Sequence, residues 1–125
     1  MRRLNPEIIY CSITGYGQTG GQKDFAGHDV NFFSYSGVLD LMGEGDRCPS
    51  IPGVQIADLA AGGMNAAIGI LLALLYGAKS GRGQFIDISM TDGMASFLPI
   101  ALHFFQEDGV LPQRGASLLS HKYAC

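Results

Sequence analysis

The feature that most constrains this chain is a run of 20 residues without charge, LAAGGMNAAIGILLALLYGA, at 59–78. It reads as one long helix, opened by Asp58 and closed by Lys79 in the last turn with Gly81 just beyond. A helix this long and apolar is able to cross a bilayer, and Gly62, Gly63 and Ala66 are the small residues that membrane helices use where they touch. A helix that is apolar all round can equally be the central buried helix of an α/β protein. Asp58 is followed by small residues rather than an aromatic belt, and strand-like and amphipathic segments flank the run closely. Both points favour the buried helix and argue against a membrane partner.

Around it the chain alternates in character. Residues 8–13, IIYCSI, read as a short buried strand. Residues 84–90, QFIDISM, alternate between Phe85, Asp87 and Ser89 on one face and Ile86, Ile88 and Met90 on the other, as a strand does. A helix is predicted from His28 to Met42, with Val30, Phe33, Gly37, Val38 and Leu41 on one face. Another is predicted from Thr91 or Asp92 to about Gln106, with Pro99 as a kink. Segments 14–27 and 43–54 are dense in glycine, proline and polar residues and read as loops. The order strand, helix, helix, strand, helix predicts an α/β fold with a parallel sheet. Two strands leave both edges of a sheet unsatisfied, so the sheet is expected to be incomplete.

The 125 residues allow one domain. Charged residues are only 15%, below the usual quarter, and there are 18 glycines. Much of the surface is therefore expected to face other protein. Net charge is −3 and the eight basic residues are scattered, which gives no footprint for nucleic acid. Cys11, Cys48 and Cys125 lie far apart with no CxxC spacing. They are expected to be free thiols in a reducing compartment, and no metal site is expected. Arg2 and Arg3 lead into no apolar stretch, so no signal peptide is read there.

Three places can carry chemistry. Gly15-Tyr16-Gly17-Gln18-Thr19-Gly20 matches GxGxxG after a strand. A dinucleotide site needs a helix to open at that point, and GQKDFAGHD is poor helix material. A loop shaped for close packing, or for contact with a bound ligand, suits it better. His28 ends that loop and starts a helix. It is either a capping residue or a general base, since imidazole exchanges a proton near neutrality. Asp58 suits an N-cap or first-turn position, and is either a plain N-cap or a reactive carboxylate beside small residues that leave room for a substrate. His103, on the apolar face of the last predicted helix, reads as structural, while His121 supports no assignment.

Five segments occur in series: Gly15-Tyr16-Gly17-Gln18, Ala26-Gly27-His28-Asp29-Val30-Asn31, Ile56-Ala57-Asp58-Leu59-Ala60-Ala61-Gly62-Gly63, Gly81-Arg82-Gly83-Gln84-Phe85-Ile86-Asp87 and Met90-Thr91-Asp92-Gly93. Together they resemble the central part of the CaiB/BaiF, or family III, CoA-transferase superfamily. The resemblance covers nearly the whole chain, and the 30-residue spacing of His28 and Asp58 resembles its 2-methylacyl-CoA racemase branch.

The resemblance implies a partial Rossmann-like large domain, with residues 1–125 as its central part. The amino-terminal CoA-site part and the small domain are then absent, and the chain reads as a truncated piece that does not turn over alone. It implies an interlocked homodimer in the full-length form, a cytoplasmic location, and an acyl-CoA substrate. No tightly bound cofactor is expected; coenzyme A enters as part of the substrate. In the racemase branch His28 and Asp58 would flank the α-carbon, one removing its proton and the other returning one on the opposite face. The backbone N–H of Asp29 would stabilise the enolate oxygen. Gly27, Phe32, Gly62 and Gly63 are expected to line the pocket. In the transferase branch Asp58 would instead be the nucleophile, passing CoA through an aspartyl-CoA thioester. Histidine at position 28 favours the racemase; the alanines at 60 and 61 and the lead-in Pro52-Gly53-Val54-Gln55-Ile56 depart from its pattern. An inactive scaffold piece and a small membrane protein built on 59–78 are the competing classes.

Overall fold

The structure is a computed structural model and describes residues 3–116. Strand β1 (Tyr10–Thr14) leads through the glycine loop to helix α1 (Asp29–Ser36). A 3-10 turn (Val38–Leu41) and a loop precede the long helix α2 (Ala57–Ser80). Strand β2 (Phe85–Ser89), helix α3 (Met90–Ala95) and helix α4 (Pro99–Asp108) follow. β1 and β2 pair in parallel, from Tyr10 opposite Phe85 to Thr14 opposite Ser89. The expected α/β layer is therefore present, as a two-stranded parallel sheet spanned by the α2 crossover.

The long helix lies on the sheet along a stripe of small residues. Ala57, Ala61, Gly62, Ala66 and Ala73 are buried. Gly69 lies so close to the sheet that a Cβ there would come 3.1 Å from Ile86 Cγ2. Glycine and alanine at these spacings let the backbone approach Ile13 and Ile86, which is what a helix needs to seat on a parallel pair of strands. The outer face is different from the expectation of a helix buried all round. Leu71, Leu72, Leu74 and Leu75 are each more than half exposed. Its apolar circumference is real, but among the described residues it is the small-residue stripe that is covered.

Three helix boundaries also differ from the pattern. The predicted helix 28–42 stops at Ser36, because Gly37 takes φ 84° and donates its N–H to Ser34 O, an αL cap. The predicted helix from Thr91 begins at Met90, capped by Ser89, whose Oγ accepts the Asp92 N–H at 3.2 Å. Pro99 does not kink it: the helix ends at Ala95, and Pro99 opens α4 at its first position, where its missing N–H costs nothing.

The core sits where α1, the start of α2 and α3 meet. Phe32, Phe33, Ala57, Ala61 and Met94 form it, with Tyr16 and Met90 packed alongside. Gly93 permits that meeting: a Cβ there would lie 2.7 Å from Ala61 Cβ. α3 and α2 thus touch backbone to backbone, at the turn that carries Asp58. Thr91 fastens the same corner to the glycine loop, its N–H and Oγ1 both donating to Gly15 O at 3.0 and 2.7 Å.

Candidate active site

His28 stands at the N-cap of α1 in extended conformation and is exposed. The cap is completed by Asn31. Its Oδ1 accepts the His28 N–H at 2.9 Å, and its own N–H donates to His28 O at 2.8 Å. This is half of a capping box, with asparagine in the role usually taken by Glu or Gln and the His28 main-chain oxygen, rather than its side chain, accepting the Asn31 N–H. The residues just before it are held by rings. Tyr16 meets Phe32 and Tyr35 edge-on, each at 5.4 Å, and Phe25 at 6.3 Å.

Asp58 is not an N-cap. The helix begins one residue earlier, after Ile56, and Asp58 lies in the first turn with its side chain exposed. That turn is unusual, for α2 is wound as a π-helix over Ala57–Met64 before continuing as α-helix over Asn65–Ser80. π-wound segments are rare and occur often at functional sites. Among the described residues, no hydrogen bond ties down the Asp58 carboxylate. Its backbone is tied instead: the Asp58 N–H donates to Asp29 Oδ1 at 2.8 Å. His28 and Asp58, 30 residues apart in sequence, are thereby joined through one peptide link and one hydrogen bond.

The pocket candidates divide. Gly63 is exposed, and a Cβ there would meet only Asp58 O, at 3.6 Å, so this side of the turn is open. Gly27 is half-buried at the lip, tight against Phe32 and the Tyr16 hydroxyl. Gly62 packs against Met90 and Ile13, and Phe32 is 3% exposed in the core. Phe32 and Gly62 therefore shape the site from behind rather than forming an open wall. The phase of α1 turns Phe32 and Phe33 inward together, and Gly62 belongs to the stripe that faces the sheet.

The glycine loop does not open a helix. Gly17 and Gly20 take φ values of 82° and 84°, conformations that glycine adopts without strain. The Gln18 N–H donates to Asp87 Oδ2 at 2.9 Å, and the Gln18 side chain donates to Ser12 Oγ at 2.7 Å. The loop is thus pinned to the strands, which accounts for Asp87 and leaves the dinucleotide motif without its helix. An open groove of about 660 Å3 near the carboxyl end of β2 is lined by Tyr16, Gly17, Asn65, Asp87, Ser89 and Asp92 among others. None of His28, Asp29 and Asp58 lines it. His103 is exposed on α4, with its ring 5.6 Å from that of Phe104. His121 and Cys125 lie outside the described residues.

Residues 1–123 match the family model of CoA-transferase family III. The chain belongs to that family. It is 41% identical over 95 residues to the alpha-methylacyl-CoA racemase of Homo sapiens, covering 76% of this chain and 25% of that protein. It is 43% identical over 98 residues to the succinate–glutarate CoA-transferase of Agrobacterium fabrum, covering 78% of this chain and 24% of that one. A crystal structure of a CaiB/BaiF family protein from Brucella suis superposes with a TM-score of 0.84 at 39% identity, over 90% of this chain and 30% of that chain. The chain spans between 24% and 30% of the length of these family III relatives. Racemase and transferase stand at comparable identity, so identity does not choose between the two chemistries.

Proposed function

We propose that this chain carries the acid/base pair of an acyl-CoA racemase, with a 2-methylacyl-CoA as substrate. The observation that supports it best is the junction of α1 and α2, where the residue after the exposed His28 holds the Asp58 backbone, and the exposed Asp58 carboxylate has no hydrogen bond among the described residues. A proton α to a thioester leaves readily only when the developing enolate oxygen is stabilised. The N–H groups at the start of α1, that of Asp29 first, would serve. His28 takes the proton from C2, and the C–H electron pair moves into the enolate. The protonated Asp58 carboxyl then delivers its proton to the opposite face of C2. The reverse direction exchanges the two roles, which requires the pair to hold one transferable proton between them. Coenzyme A takes part only as a portion of the substrate, and no further cofactor is invoked.

A second reading rests on the same free carboxylate. Asp58 could attack an acyl-CoA carbonyl, expelling CoA thiolate and forming a mixed anhydride; attack of that thiolate on the Asp58 carbonyl then releases the acyl group as its carboxylate and leaves CoA as an aspartyl thioester, which makes the segment part of a CoA-transferase. The exposed leucines of α2 support a homodimer as the working form, and the free thiols of Cys11 and Cys48 support a cytoplasmic setting.

The two readings separate in one experiment, with this segment set in a full-length family frame. A single C2 epimer of a 2-methylacyl-CoA is expected to convert to a mixture of both epimers, with no acceptor acid added. Retention of the starting epimer, together with hydroxylamine-sensitive labelling of Asp58 by acyl-CoA, would instead establish the transferase.

A further inference from the structure

A carboxylate in the first turn of a helix ordinarily finds its partners among that helix's own free N–H groups. At the start of α1 the cap is already made by His28 and Asn31. The Asp29 carboxylate is left for another use, and Oδ1 accepts the N–H of Asp58 from the first turn of α2 at 2.8 Å. That N–H is one of the donors that a helix start leaves without an internal partner. Its neighbour Leu59 reaches back to Gln55 O at 3.0 Å, whereas Asp58 is satisfied from outside its own helix. The π-wound turn is also seated by packing, with Ala57 and Ala61 fully buried and Gly93 pressed against Ala61.

We infer that Asp29 is a positioning residue. Its side chain clamps the first turn of α2 to the first turn of α1, and so fixes the Asp58 carboxylate relative to the His28 imidazole. The inference rests on the acid/base reading of that pair. The main-chain N–H of Asp29 is one of the donors that a helix start leaves without an internal partner, so on that reading one residue would serve the thioester with its backbone and Asp58 with its side chain. Such a clamp matters because misplacing a reacting group by about 1 Å costs on the order of a hundredfold in rate. A hydrogen bond to an ionised acceptor is also stronger than a neutral one.

The test reads the Asp58 amide itself, by NMR on the 15N-labelled chain. In the unaltered protein this amide proton is expected to be shifted downfield and to exchange about ten- to a hundredfold more slowly than a free one. Asp29→Ala should abolish both signatures while the amides of the β1–β2 ladder keep their protection. Asp29→Asn, whose Oδ1 can take the same place, should restore them, which a general loss of packing would not allow. Should Asp29→Ala unfold the chain, the unaltered protein and Asp29→Asn still decide. An Asp58 amide that is free in the unaltered protein, unmoved by Asp29→Ala, or lost in Asp29→Asn overturns the clamp. The readout involves no substrate. A clamp that is present in a protein without α-proton chemistry therefore removes the racemase reading and leaves the structural role of Asp29 intact.

Discussion

Asp58→Asn, in a full-length family frame, is expected to lower α-proton exchange of a 2-methylacyl-CoA by about 10²–10⁴-fold, the usual worth of a positioned general acid or base. The side chain is exposed, and among the described residues no hydrogen bond holds its carboxylate, so its loss removes no structural contact. The backbone N–H that donates to Asp29 is unchanged by the substitution. Urea unfolding of the variant should therefore follow the parent curve, because an exposed substitution of this kind shifts stability by no more than about 0.5 kcal/mol. Asparagine keeps the size of aspartate and cannot cycle a proton, so the effect isolates the chemistry. Full exchange in this variant would remove Asp58 from the racemase account.

The second large effect concerns stability. Phe33 is 1% exposed and sits in the core beneath α2 and α3. Phe33→Ala is expected to cost about 3–5 kcal/mol, by lost transfer energy and by the cavity left behind. That is a large part of the roughly 5–15 kcal/mol that holds a typical domain together. The measurement is the midpoint of urea unfolding at equal slope. Leu71→Ala is the comparison: Leu71 is 60% exposed on the outer face of α2, so in the unassembled chain its loss should cost no more than about 0.5 kcal/mol, and more where a homodimer covers that face. If Leu71→Ala proved as costly as Phe33→Ala, the outer face of α2 would have to be covered in solution.

The parts of this fold that local chemistry decides were legible in the sequence. The alternation of QFIDISM and the β-branched run before Thr14 placed both strands to within two residues. Lys79 and Gly81 marked the end of α2, where Gly81 indeed takes φ 64°. What escaped were features set by tertiary neighbours. Gly37 fits an apolar helical face by spacing, but its backbone adopts the αL conformation that ends α1. Nothing local announces the π winding of Ala57–Met64; it coincides with the close approach of Gly93 to Ala61. Phe32, next in space to a candidate base, looked like a pocket wall until the phase of α1 turned it inward. His28 and Asp58 were both singled out by residue type and context. The bond between Asp29 and Asp58 was not, because it joins residues 29 apart whose proximity depends on how α1 packs against α2.

The most direct test of the central claim is deuterium uptake at C2 of a 2-methylacyl-CoA in deuterated water. It compares this segment in a full-length family frame with the same protein carrying His28→Ala. The account predicts uptake in the intact protein and a fall of about 10²–10⁴-fold in the variant. Uptake that survives His28→Ala would contradict the role of His28, and no uptake in the intact protein would contradict the racemase account altogether and leave CoA transfer through Asp58 as the better description.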